Sequence, residues 1–219
     1  MSELIVMLTH HDMTVKNAID VFTQCKDTKA KYWGFKEAGL DRDSMKKLVG
    51  LMKAAGKTTF LEVVAYTEKE CLDGAKVCAE CGFDFLMGTL YFDSVNEYTK
   101  RHKLKYMPFV GTITGRPSVV TGTIEGIIEE GKRCVSKGVF GIDLLGYRFV
   151  GDCVRLNSEF VRQVPLPVVL AGSVDSMERL KEVKDTGAFA FTIGSAFFEN
   201  KFGGTFAQQI DKVIGFMES

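Results

Sequence analysis

No apolar stretch in this chain approaches the roughly 20 residues needed to cross a bilayer. The first apolar run, within MSELIVMLTHHD, is short and is flanked by an acid and two histidines, which fits neither a signal peptide nor a membrane span. A soluble cytoplasmic protein with no membrane partner is the expectation. Charge of one sign is missing as well: 28 Lys plus Arg balance 28 Asp plus Glu. A nucleic-acid surface wants a basic bias, so no nucleic-acid partner is expected. The six cysteines (Cys25, Cys71, Cys78, Cys81, Cys134, Cys153) show no framework spacing and read as reduced thiols. Cys78-Ala-Glu-Cys81 stands alone, whereas a structural zinc site needs a second pair, so no metal and no cofactor are expected. Cys71, Cys78 and Cys81 fall on a helical pattern and read as small buried core residues. With only four prolines and no Pro/Gly/Ser-rich linker, residues 1–219 read as one domain.

What the chain does have is rhythm. Short apolar runs at Leu4–Leu8, Trp33–Glu37, Phe60–Ala65, Phe85–Met87, Tyr106–Val110, Val139–Leu144, Pro167–Ala171 and Ala188–Ile193 alternate with amphipathic stretches. Met45, Leu48, Val49 and Met52 mark one helical face, and Phe206, Ile210, Val213 and Met217 another. The hydrophobic period switches between about 2 and about 3.6 eight times. Strands this short and apolar suit a parallel sheet covered by helices. Eight βα units in just over 200 residues predict an α/β fold, a single (β/α)₈ TIM barrel. An open doubly wound sheet is the alternative.

Two segments also resemble each other. FDFLMGTLYF (83–92) and FAFTIGSAFF (189–198) align at an offset of 106 residues, close to half the chain. At that offset Val63 meets Val169, Ala65 meets Ala171, and Glu37 meets Asp143. The agreement predicts a two-fold half-barrel repeat.

Two Gly-Ser steps interrupt the last two strands, in Leu170-Ala-Gly-Ser-Val174 and Thr192-Ile-Gly-Ser-Ala196. Glycine lets a backbone approach a ligand closely, and serine adds a hydroxyl. Ala196, Phe197 and Phe198 can open a short helix whose free N–H groups face the same spot. The loops after strands seven and eight of a barrel commonly hold phosphate. Gly172, Ser173, Gly194 and Ser195 are therefore the candidate phosphate ligands, and a small phosphorylated metabolite the expected partner. Simple chain reversal is the alternative reading of both glycines. The sequence leaves homo-oligomer formation open.

The segment PVVLAGSVDSMERLKEVKDTGAFAFTIGSAFFENKF resembles the C-terminal part of the histidine-biosynthesis barrels, the phosphoribosylformimino-AICAR-phosphate isomerase and the imidazole-glycerol-phosphate synthase cyclase. GIDLLGYRFVGD (141–152) is similar to their sixth strand and its loop. The match spans roughly residues 139 to 203 and is more specific to the ribulose-phosphate-binding barrels than to one enzyme. The resemblance implies phosphate ligands at Gly172, Ser173, Gly194 and Ser195 and an acid/base role for Asp143. It also marks departures: LIVML and KYMPFVG lack the family's acids on strands one and five. Val64, Ala65 and Tyr66 replace its second phosphate-binding glycine cluster. Gly88 and Thr89, with Arg116 and Arg148 on nearby loops, are what remains for a second anion site.

Charges inside apolar strands are costly unless used or paired. Glu62 lies within FLEVV, Lys36 and Glu37 end strand two, and Asp143 ends strand six. Alternation lets only one of Lys36 and Glu37 face the lumen, and the repeat favours Glu37. Paired carboxylates at Glu37, Glu62 or Asp143 suit proton transfer next to a carbonyl, as in sugar isomerisation. An inward Lys36 suits Schiff-base chemistry and an aldolase or lyase. His10, in Thr9-His10-His11-Asp12 after strand one, is a candidate proton shuttle. Structural ion pairs and surface loops are the plain alternatives. A barrel that senses a phosphometabolite without turning it over is the third functional reading.

Overall fold

A computed structural model describes residues 2–219. Eight parallel strands form the barrel: β1 (Glu3–Met7), β2 (Tyr32–Lys36), β3 (Thr58–Val63), β4 (Phe85–Gly88), β5 (Lys105–Met107), β6 (Ile142–Leu144), β7 (Val168–Leu170) and β8 (Ala190–Ile193). Their spatial order is β6-β7-β8-β1-β2-β3-β4-β5. The seam between β5 and β6 is drawn together by Phe140 N–H donating to the Tyr106 carbonyl (2.9 Å) and Asp143 N–H to that of Pro108 (3.0 Å). The expected barrel is therefore present, and the open sheet is not.

Helices α1 (Ala18–Cys25), α2 (Arg42–Ala54), α3 (Glu68–Cys81), α4 (Asp93–Arg101), α5 (Ile124–Lys137), α6 (Cys153–Gln163), α7 (Met177–Thr186) and α8 (Phe206–Glu218) cover the sheet. Local chemistry starts most of them. The side chains of Asp41, Thr67, Thr123, Asp152, Ser176 and Thr205 each accept from the backbone N–H three residues on, and Thr205 with Gln208 completes a capping box. The cysteine-bearing α3 ends at Gly82, where φ is 80°. Cys71, Cys78 and Cys81 are buried, and the Cys78 thiol donates to the Phe85 carbonyl at 3.4 Å.

Alternation along the strands makes two cores. The outer one lies between sheet and helices. The inner one fills the lumen with Ile5, Met7, Phe60, Phe85, Met87, Met107, Val169 and Ala190. Its N-terminal floor is aromatic: the Phe60 and Phe85 rings stack at 4.2 Å, Phe85 meets Phe140 at 5.2 Å, and Tyr32 meets Phe60 at 5.3 Å. The Lys105 ammonium lies over Phe85 and Phe140, at 4.8 and 5.1 Å from their centroids. Above floor and middle, the lumen turns polar.

The two halves share a βα rhythm, but the offset of 106 does not preserve faces. Phe85, Met87 and Glu62 point into the lumen or its mouth, whereas their matches Phe191, Ile193 and Val168 belong to the outer core. Val63 is outer and its match Val169 inner. A shift of one residue exchanges the two sides of a strand, so the matched letters occupy opposite faces.

Candidate functional site

The polar mouth of the lumen holds a cavity of about 320 Å³ at the C-terminal ends of the strands. Its first wall comes from β1 and the hairpin that follows, in which Thr9–His10 pairs with Met13–Thr14. The two-residue loop His11-Asp12 has φ of 50° and 60°, as a tight type I′ turn requires. The hairpin is fixed to the end of β2: the Thr14 hydroxyl donates to the Lys36 carbonyl (2.8 Å) and accepts from the Lys36 N–H (3.0 Å). This placement brings Asp12 over the Lys36 side chain.

Lys36, not Glu37, enters the cavity. Its Nζ lies 2.8 Å from Asp12 Oδ1 and 3.7 Å from Glu62 Oε1. Lys36 and Glu62 are register partners on β2 and β3, so both point the same way. Burial alone lowers the lysine's pKa, but the charge of Glu62 and the hydrogen bond and charge of Asp12 outweigh it and hold the ammonium above its usual range. Asp12 is correspondingly held below the usual carboxylate range: its partial burial opposes this, and the Lys36 hydrogen bond and charge prevail.

Asp143 completes the cluster from β6. It is 0% exposed, and neither carboxyl oxygen has a hydrogen-bond partner among the described residues. Burial first, then the charge of Glu62, pushes its pKa far up, so it keeps its proton where ordinary aspartates have lost theirs. Asp143 does not line the cavity; it lies in the lumen wall behind those groups that do.

The second wall brings the two Gly-Ser turns together. Gly172, Ser173, Val174 and Asp175 after β7 face Gly194, Ser195 and Ala196 after β8, where the one-turn helix Ser195–Phe198 begins. The glycines are needed for a different reason than anticipated. A Cβ on Gly172 would stand 2.8 Å from Arg148 Cγ, and one on Gly194 would stand 2.6 Å from Thr9 Oγ1. They admit neighbouring protein groups: the Arg148 stem crosses Gly172, and its side chain lines the cavity. Arg179 donates to the Ser173 carbonyl and fixes that turn.

A hairpin, Thr112–Thr114 with Val119–Thr121, forms the third wall and contributes Pro117 and Ser118. Tyr66 ties it down, its hydroxyl bonded to the Gly115 carbonyl (2.9 Å) and the Ser118 hydroxyl (2.8 Å). Arg116 donates to the Val64 carbonyl and lies 3.9 Å from Glu37 Oε1.

Several sequence candidates therefore fall elsewhere. Glu37 sits outside this cavity beside Arg116, because the strand's alternation gives the inner position to Lys36. Burial raises its pKa. His10 does not line the cavity; its ring stacks on Phe198 (5.6 Å), with Nε2 3.6 Å from Glu199, and the adjacent His11 lines the cavity instead. Gly88 and Thr89 do not line this cavity. A Cβ on Gly88 would meet the Val63 carbonyl at 2.5 Å, and the fully buried Thr89 hydroxyl pairs with that of Tyr106 at 2.7 Å. Arg148 lines the cavity over Gly172, whereas Arg116 anchors the hairpin. Asp12, Ser118, Asp175, Thr192 and Glu199 are lining residues that strand patterns did not single out. For Asp12 the signal was its place in Thr9-His10-His11-Asp12. Among the described residues no group of His, Cys, Asp and Glu is placed to hold a metal ion, and no helix is long and apolar enough to cross a membrane.

No family model and no curated protein sequence matches the chain. Solved structures do match in shape. The chain is similar to the native KDPGal structure (13% identity over 98% of this chain and 94% of that one, TM-score 0.72). It is also similar to orotidine 5′-phosphate decarboxylase from Pyrococcus horikoshii OT3 (13%, 99% and 99%, TM-score 0.70). A third is N-acetylmannosamine-6-phosphate 2-epimerase from Clostridium perfringens (15%, 97% and 92%, TM-score 0.66). At such identities the likeness establishes the barrel fold and singles out no histidine-pathway enzyme.

Proposed function

We propose that this barrel is an enzyme that binds a small phosphorylated metabolite and moves a proton on a carbon beside a carbonyl group, as an isomerase or epimerase does. One observation carries the reading. A single cavity joins the Gly-Ser turns after β7 and β8, with Arg148 from the loop after β6, to the Lys36 ammonium of β2, paired with Glu62 of β3 and with Asp12 of the first hairpin. Two of the similar structures bear phosphate esters in their names, the decarboxylase and the epimerase, which supports the reading by analogy.

In this reading the phosphate oxygens take the N–H groups of the Ser195–Phe198 first turn, the Ser173 and Ser195 hydroxyls, and the Arg148 guanidinium. The substrate carbonyl then meets Lys36. The Glu62 carboxylate takes the proton from the adjacent carbon; the C–H electrons form the new C=C bond, and the carbonyl electrons settle on oxygen. The Lys36 ammonium hydrogen-bonds that oxygen as its charge grows. Glu62 returns the proton to the former carbonyl carbon as the hydroxyl on the first carbon gives its proton to the enolate oxygen and becomes the new carbonyl, and the Lys36 charge is unchanged throughout. An ammonium held charged by two carboxylates is a poor amine nucleophile, so the pairing favours this role over Schiff-base formation by Lys36.

The test is deuterium exchange. Phosphorylated aldoses and ketoses are incubated with protein in heavy water and followed by proton NMR, with inorganic phosphate binding measured in parallel. The expected result is loss of a C–H signal for at least one compound, abolished in Glu62→Gln and Lys36→Met. Binding without exchange across the panel would support a sensor. No phosphate binding at all would end the proposal.

A further inference from the structure

We infer that the substrate carries a free hydroxyl group on the carbons between its phosphate and its carbonyl, and that Thr192 reads this hydroxyl and rejects deoxy analogues. The inference rests on the proposed phosphorylated substrate and narrows its class to a hydroxylated sugar phosphate.

Thr192 stands where the lumen changes character. Alternation on β8 points Ala190 and Thr192 inward and Phe191 and Ile193 outward. Ala190 belongs to the apolar fill with Ile5, Met7 and Val169, and Ile5 is the register partner of Thr192 on β1. Thr192 takes the next inward position above that fill, two residues before Gly194, and lines the cavity that also holds Lys36 and Glu62. It is 8% exposed. Its hydroxyl hydrogen-bonds nothing among the described residues, yet it is not sealed inside the protein as the unpartnered Asp143 oxygens are; it opens on the cavity. The other hydroxyls on the lining are placed otherwise. That of Ser118 bonds the Tyr66 hydroxyl at 2.8 Å, that of Thr9 packs against Gly194, and Ser173 and Ser195 sit in the two Gly-Ser turns.

Valine has nearly the shape of threonine and suits a strand as well, and here it would extend the apolar wall of Ile5 and Ala190 with no polar atom. The hydroxyl is a cost once a ligand displaces water from it, unless the ligand supplies a partner. A threonine hydroxyl both donates and accepts, so a substrate hydroxyl answers it in either sense. A methylene in the same place leaves it stranded, and a site built to pair with a substrate hydroxyl discriminates strongly against the analogue that lacks it. Because Thr192 adjoins the Gly194-Ser195 turn and shares its cavity with Lys36, the hydroxyl it meets lies on the carbons that join phosphate to carbonyl.

The test compares phosphate esters that differ by one hydroxyl. Ribose 5-phosphate is set against its 2-deoxy and 3-deoxy analogues, and glycerol 3-phosphate against propane-1,3-diol monophosphate. Affinities are measured by calorimetry at neutral pH on the full chain, with inorganic phosphate as control. In at least one series the hydroxylated ester should bind at least about tenfold tighter than a deoxy partner. Thr192→Val should narrow that gap to within about threefold while the inorganic phosphate affinity holds, and Thr192→Ser should keep the gap. Equal or tighter binding of every deoxy partner overturns the inference, as does a gap that Thr192→Val leaves intact or that Thr192→Ser loses as well. Inorganic phosphate binding with no ester bound also overturns it, and so does loss of inorganic phosphate binding in Thr192→Val, since the threonine would then serve the cradle. Failure of inorganic phosphate and every ester to bind the unaltered protein would instead overturn the cradle reading, and this inference with it.

Discussion

Replacing Asp143 by Asn should stabilise the protein at neutral pH and do so less and less as the pH falls. The carboxyl is fully buried with no partner among the described residues, and burial with the Glu62 charge raises its folded pKa far above its unfolded value near 3.9. Between those two values the folded state holds a proton that the unfolded state has released. Stability then falls as pH rises, by about 1.4 kcal/mol per unit, and is fully regained below about pH 4. Across the three units to pH 7 the loss reaches at most about 4 kcal/mol. Asn does not titrate, although its own unpaired amide returns about 1 kcal/mol of that gain. A net advantage of up to about 3 kcal/mol at pH 7 corresponds to a rise in Tm on the order of 6–12 °C for a chain of this size. Urea unfolding of both proteins from pH 4 to pH 7 gives the difference curve, in which all shared titrations cancel. A difference that stays flat with pH would show that Asp143 is ionised in the fold. A less stable variant at pH 7 would show that it is paired, and either outcome refutes the reasoning.

Three further outcomes follow from the geometry. Lys36→Met strands Asp12 and Glu62 beside Asp143 and should cost about 3 kcal/mol in denaturant at neutral pH, with a smaller cost once the acids are protonated. Gly172→Ala places a methyl 2.8 Å from Arg148 Cγ at a backbone φ of 81°, so inorganic phosphate affinity should drop about tenfold and stability by about 1 kcal/mol or more. Phe60→Ala removes a ring stacked 4.2 Å from Phe85 in the barrel floor and should cost about 3–5 kcal/mol, with phosphate affinity unchanged in the folded protein.

The barrel was legible because its signals are local. Apolar runs of three to six residues, separated by amphipathic stretches, mark each βα unit without reference to the others. The Gly-Ser steps were legible for the same reason, since they interrupt strands that otherwise continue. The repeat misled at the level of single residues, because letters matched at an offset of 106 say nothing about which face of the sheet they occupy.

By itself, then, the amino-acid order determined the count of βα units and the pairing of two glycine-serine turns at adjacent strand ends. Folding decided which charges share a space. Whether Lys36 or Glu37 faces inward depends on register with β3, which sets Lys36 beside Glu62. That Asp12 reaches Lys36 depends on a two-residue turn docked on β2 through Thr14. That Arg148 crosses Gly172 depends on the spacing between two neighbouring loops. Such contacts join residues from distant parts of the chain, and only the closed sheet fixes the distances between them.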